Sequence, residues 1–298
     1  MRILFMAVAF VLMMSTTHAA IYQQGIVYVI YDEAGDAAPV DKTDLNVNGV
    51  PDVVEDIATQ VNAARELFKD VFKFPDPLES ERFNATSIEV DIKSKAVMGK
   101  YNGISGKKVR QHSKHNPNER AIHFRVANTV NPRKNSTPTH EYFHEIQYGA
   151  TYFMNDWFKE GTARWAQDAV QNIKEYPDGK NIPSQLEDDT FAEQVYQGSY
   201  DMAKGFWYPL ALNMNDKATI PDSLIEKYRY VDGSPVFRDN IIYGANVVRE
   251  VIQVMKTKEE LAAAEYGTLN EWRNKGRRDE RNNKFIMASV REVYHGKL

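Results

Sequence analysis

The sequence predicts an α+β fold, with a mixed sheet carried by the N-terminal half and a mainly helical C-terminal half. Three observations carry this expectation. Residues 25–31, Gly-Ile-Val-Tyr-Val-Ile-Tyr, form a near-continuous apolar, β-rich run that suits an interior strand covered on both faces. Residues 87–93 and 121–127 alternate apolar with polar side chains, the pattern of half-buried strands. Beyond Thr137 the spacing turns helical over residues 138–148, 155–168, 166–174, 191–213 and 240–255, ahead of a charged tail over 257–298.

Arg2 gives a charged start to an apolar core over residues 3–14 that is too short to span a bilayer, and Thr17-His18-Ala19 supplies small residues for cleavage. This reads as a signal peptide over residues 1–19, cut after Ala19, so that the protein is secreted. No second apolar run with flanking basic residues follows, which argues against a stable membrane anchor. The remainder divides into an N-terminal α/β subdomain over 20–150 and a helical C-terminal subdomain over 151–298, enough for one large domain or two intimately packed lobes. A net charge of -4 and a pI near 6.0 give no pull toward nucleic acid. With no cysteine there is no disulfide framework, no lipid-modified cysteine and no thiol to cap a metal.

Residues 44–55 fit the twelve-residue calcium loop: Asp44, Asn46 and Asn48 at positions one, three and five, Gly49 at six, the Val50 carbonyl at seven, and Asp52 and Glu55 at nine and twelve. No helix precedes the loop, which would feed a single helix over 52–70 and hold calcium weakly, having only three charged ligands. An Asn-Gly turn followed by an Asp-capped helix is the plainer alternative. The basic run over 107–115 is most simply a solvated loop, with His112 and His115 as an alternative surface metal pair.

The chemistry concentrates at His140-Glu141-Tyr142-Phe143-His144. Two histidines four residues apart on a helix share one face, so both rings reach one Zn²⁺, and Glu141 lies beside the ion, placed to take a proton from an activated water. Thr137 and Pro138 suit the helix start. A catalytic zinc usually takes three protein ligands, and the next helix, capped by Asn155 or Asp156, supplies Glu160; Glu145 and Asp156 are its local rivals. Gly161 costs roughly 1 kcal/mol inside a helix, a cost explained if two helices must approach closely around an ion. The bland reading is a solvated helix carrying two unremarkable histidines.

The His140–His144 segment, with Trp157-Phe-Lys-Glu160-Gly-Thr-Ala163-Arg-Trp165-Ala, resembles the glutamate-type zinc metallopeptidases, the gluzincins. Within them it is similar to a group of secreted bacterial metallopeptidases with an HEFFHAIQ-like helix, a W-x-x-E-G-x-A-x-W-A-like helix and an N-x-N-G-x-P-D segment near the start. The likeness covers residues 44–168. It implies a zincin-like fold in which the 121–127 strand lines the cleft and pairs with an extended peptide, with His123 a strand-surface residue or a substrate contact. It also implies a zinc metallopeptidase, a hydrolase acting on a peptide or protein substrate, with zinc on His140, His144 and Glu160, Glu141 as general base, and possible calcium in the loop. Tyr243, ahead of Gly244 at the start of a helix, is the candidate oxyanion donor, with Tyr228 and Tyr208 as rivals. Two positions depart from the pattern. Glu145 stands where the group tends to have a small residue, and Arg164 replaces an acid that some gluzincins place four residues after the third ligand, leaving the outer partner of a zinc histidine unassigned. The competing readings are a non-catalytic secreted calcium- and zinc-binding protein on a zincin scaffold, and a calcium-dependent adhesion module that would explain the Asp44 loop but not the histidine helix.

Overall fold

The computed structural model describes residues 19–106, 108–170, 182–237, 240–268 and 276–296. The expected signal peptide falls outside them except for Ala19, as does the expected helical stretch beyond Val170 toward 174. The molecule is α+β, with a mixed sheet in the N-terminal part. Strands β1 (Ala19–Gln24) and β2 (Val27–Asp32) form an antiparallel hairpin. Helix α1 (Asp52–Arg65) runs on into a π-helical turn, Glu66–Val71, and returns the chain to β3 (Ser87–Lys93), parallel to β2. A single turn, α2 (Lys95–Met98), and the short strand β4 (Gly103–Ser105) precede β5 (Ala121–Ala127). Spatial order is β1-β2-β3-β5-β4, so the apolar run is interior as its composition requires, and β4 is an antiparallel edge.

This order corrects one expectation. β5 is interior, its backbone engaged by β3 on one side and β4 on the other, so it has no free edge to offer a peptide. The edge belongs to β4, three residues too short and too glycine-rich to announce itself by alternation. The β3 pattern also misleads about exposure: Glu89 and Asp91, on its polar face, are fully buried. The basic run is the reason. It folds back over that face, where Arg110 pairs with Glu89 and with Asp91 at 2.6 Å, Lys114 Nζ reaches Asp91 at 2.6 Å, and His115 stacks on Tyr28 at 3.6 Å. Residues 108–115 are therefore a sheet cover held by buried ion pairs, not a solvated loop, and His115 is spent on Glu89.

The other face of the sheet packs on α1 and on α3 (Thr137–Ala150), which leads by a short connection into α4 (Asp156–Gln167). Phe68, Phe74, Phe143 and Trp165 interlock behind α3 and α4 with ring centroids 5.1–6.2 Å apart, locking the two helices into one core. The expected boundary at 150/151 thus falls between two helices that share that core. The long helix expected over 191–213 is broken: α5 (Asp189–Tyr196), a turn through Tyr200, a π-helical segment Ala203–Trp207, then α6 (Tyr208–Asn213). After β6 (Lys217–Thr219) and α7 (Asp222–Lys227), residues expected as the next helix start as β7 (Ile241–Tyr243), paired with β6. Left-handed Gly244 (φ 97) turns the chain into α8 (Ala245–Tyr266), which consumes the first part of the expected tail. α9 (Asn282–His295) packs along it through buried Ile286, Met287 and Val290. No helix among the described residues is long and apolar enough to cross a membrane.

Candidate metal centre

α3 presents His140 and His144 one turn apart, with ring centroids at 4.6 Å and planes nearly perpendicular. α4 presents Glu160 opposite them, its Oε2 3.2 Å from His140 Nε2 and 3.4 Å from His144 Nε2. Donor atoms of the three residues lie within 4.8 Å of one another, the only such group of His, Cys, Asp and Glu among the described residues. The rivals for third ligand are directed elsewhere. Asp156 is half exposed and approaches Lys159 and Arg278, while Glu145 is buried beside Glu141.

What the histidines do with their other nitrogens fixes the chemistry. His144 Nδ1 lies 2.7 Å from Gln147 Oε1, and the Gln147 amide is oriented by donating through Nε2 to the Lys159 carbonyl at 2.9 Å and to Thr162 Oγ1 at 2.6 Å. His140 Nδ1 lies 3.1 Å from Gln167 Oε1, and Gln167 donates through Nε2 to Ser136 Oγ at 2.8 Å. Each amide oxygen can only accept, so both protons sit on Nδ1 and both Nε2 lone pairs point at Glu160 Oε2. These are the outer partners that the Arg164 substitution left unassigned, and both are neutral amides. Arg164 itself donates to Gln167 Oε1 at 3.3 Å. Helical spacing could have found them, since Gln147 lies three residues after His144 and Gln167 seven after Glu160, each on its ligand's own face.

Burial lowers the His144 pKa to about 4, helped by the neighbouring His140, and so favours the neutral ring a metal requires. One carboxylate oxygen and two imidazole nitrogens converging on one point fit a divalent, nitrogen- and oxygen-bound ion such as zinc.

Glu141 packs against β4 at Gly103. Burial, opposed by the neighbouring His140, pushes its carboxyl to about 7. It packs so closely on Gly103 that a Cβ at that residue would sit 2.3 Å from its Oε1. Gly161 likewise admits a neighbour, though not the expected one. Its missing side chain makes room for the Trp207 ring, whose Nε1 would lie 2.9 Å from a Cβ there, so the close approach joins α4 to the 203–207 segment and not to α3. Glu145, one turn beyond Glu141, is 1 % exposed, and neither of its oxygens has a hydrogen-bond partner among the described residues. Burial and the nearby Glu141 raise its pKa strongly.

Two tyrosines reach the centre, Tyr200 and Tyr148, and of these Tyr200 comes from outside α3. Its ring stacks on His140 at 5.7 Å, and its own pKa is raised by burial and by the nearby Glu160 carboxylate. Nothing in the broken 191–213 pattern singled it out. Tyr243 sits on β7, where its carbonyl accepts the Trp165 indole N–H at 2.7 Å on the aromatic-core side of α4. Tyr208 donates to Asp168 at 2.8 Å and Tyr228 to Glu66 at 2.7 Å. Tyr148 stacks on His144 at 6.0 Å and lies 3.5 Å from Ser105 Oγ; its pKa is raised to about 12, chiefly by burial.

The Asp44 loop brings its ligand types together, then uses them internally. Asp44 accepts the Asn48 and Gly49 N–H groups at 3.1 and 2.8 Å, and Glu55 accepts the side-chain amides of Asn46 and Asn48 at 3.0 and 2.9 Å. Asn48 Oδ1 takes the Val50 N–H at 2.8 Å. Asp52 is 2 % exposed and divides its oxygens between the Leu45 N–H at 2.9 Å and Arg133 at 3.0 Å. No family model matches the chain, and no match to it is found among curated proteins or among solved structures.

Proposed function

We propose that the protein is a secreted zinc-dependent metallopeptidase of the gluzincin type, on a zincin-like arrangement of edge strand, histidine helix and glutamate helix. One observation carries the reading. Three acceptor atoms, His140 Nε2, His144 Nε2 and Glu160 Oε2, converge in a buried site while the Nδ1 protons of both rings are committed to glutamine oxygens. A single proton could bridge only one pair of these atoms, whereas a divalent cation satisfies all three.

His140, His144 and Glu160 would hold the zinc, which when bound supplies Lewis-acid activation of a water and of the scissile carbonyl. Glu141, with its carboxyl near pKa 7, takes the proton of the attacking water and passes it to the leaving amine. β4 binds the substrate. Asn102 O accepts from Ala127 N at 2.8 Å and Gly106 N donates to His123 O at 2.8 Å, with Ile104 opposite Arg125. The even-numbered residues therefore face β5, leaving the Gly103 and Ser105 main-chain groups on the open edge for an extended peptide. The same Gly103 touches Glu141, so a peptide paired there lies beside the base. The Tyr200 hydroxyl takes the role assigned from sequence to Tyr243, donating to the oxygen that becomes negative during attack.

The test is Glu141→Gln on the full chain, assayed on a mixed peptide library with zinc content measured in parallel. Zinc retained with hydrolysis abolished is the expected result. Full activity removes Glu141 from its role, and a wild type that binds zinc but cleaves nothing leaves a zinc-binding protein in place of an enzyme.

A further inference from the structure

We propose that Lys159 is a positioning residue of this centre, which binds one oxygen of Glu160 so that the carboxylate can offer only the other to the metal. The inference rests on the metal-centre reading above. Lys159 is 5 % exposed, unusual for a lysine, which is seldom buried unless paired. Its ammonium pairs with Glu160 Oε1, while Glu160 Oε2 is the oxygen that faces both histidines. The next acid in reach, Asp156, is 3.8 Å away and half exposed. Adjacent residues on a helix point about 100° apart and do not ordinarily face each other, so this pairing is a specific arrangement and not a by-product of spacing.

Lys159 is tied to the site a second time through its main chain. Its carbonyl accepts Gln147 Nε2 at 2.9 Å, and the same amide holds His144 Nδ1 at 2.7 Å. One residue thus orients two of the three ligands, His144 through Gln147 and Glu160 directly.

The chemical consequence concerns ligand count. A carboxylate with both oxygens free can chelate a cation through both. With Oε1 engaged by an ammonium, Glu160 is a one-oxygen ligand, which keeps a position open for water and substrate. The ammonium also offsets the carboxylate charge, and both outer partners of the histidines are neutral, so little of the ion's charge is cancelled by its surroundings.

The experiment uses the full-length protein loaded with cobalt(II) in place of zinc. The wild type and Lys159→Arg should show the intense visible bands of a low-coordinate site. In Lys159→Met these bands should lose intensity as Glu160 swings to two-oxygen ligation, and the zinc-loaded form should lose roughly tenfold in kcat/KM. Lys159→Gln is the second variant, of the same expected direction and better suited to a partly polar site if the methionine form does not fold. An independent reading comes from zinc-edge X-ray absorption of the wild type, where a single carboxylate oxygen at about 2.0 Å is expected. Unchanged cobalt bands in the folded Met or Gln variant, or a two-oxygen carboxylate in the wild type, overturn the role of Lys159 alone. A wild type that takes up neither cobalt nor zinc overturns the metal centre itself.

Discussion

Two stretches of this chain carry residue types suited to a divalent cation, and folding disposes of their donor atoms in opposite ways. In the α3–α4 centre the surroundings spend every competing proton: Gln147 and Gln167 take the Nδ1 hydrogens, Lys159 takes one glutamate oxygen, and what is left over points inward. In the Asp44 loop the donors satisfy one another and the backbone. Glu55 holds two asparagine amides, Asp44 two main-chain N–H groups, and Asp52 an arginine. The difference lies in the neighbours. Spacing selects the ligand types, but the groups around them decide whether their lone pairs remain available.

The largest effect that would sharpen this contrast concerns Arg133, which bridges Asp52 to Asp56 and approaches Asp232 at 3.4 Å. Arg133→Met leaves two buried carboxylates without their cation and should cost about 3 kcal/mol in a urea unfolding series, the low end for a broken buried pair because the guanidinium is 20 % exposed. Calcium should restore more stability to this variant than to the wild type, because Asp52 is then free. Equal responses would mean that Arg133 does not compete with a cation. Next in size, Gln147→Leu should weaken zinc binding by about 10- to 100-fold in a chelator competition, through loss of the group that orients His144. An affinity unchanged within error would break the claim that neutral amides preorganise the centre.

Smaller changes test the edges of the comparison. Glu145→Met replaces a buried carboxyl lacking partners with an apolar side chain of similar length, and should raise stability by roughly 1 kcal/mol. A loss of stability would show that the carboxyl is satisfied in solution. Adding 10 mM calcium to the wild type should raise stability by no more than about 1.4 kcal/mol, as for a loop with millimolar affinity. A shift several times larger would place the two stretches on the same footing after all.

Much of the centre was legible because helical periodicity is a local rule. The histidine pair, Glu141 and Glu160 follow from two helices that fold where their patterns lie, and residues 25–31 are interior as their apolarity requires. What stayed hidden depends on contacts between distant segments. Tyr200 reaches His140 from a turn inside a stretch that reads as continuous helix, and Gly161 exists for Trp207, a neighbour no pattern on α4 announces. The basic run looked solvated because its partners, Glu89 and Asp91, lie on a strand about twenty residues earlier. β4 shows how little sequence an edge strand needs: Gly-Ile-Ser carries no alternation worth the name, yet it pairs with β5 and packs directly on Glu141.

The most direct test of the central claim is native mass spectrometry of the folded full chain titrated with zinc, beside His144→Ala. One zinc per wild-type chain and no stoichiometric zinc in the variant are expected. A wild type that remains metal-free after reconstitution, or a variant that still carries a full equivalent, would contradict it.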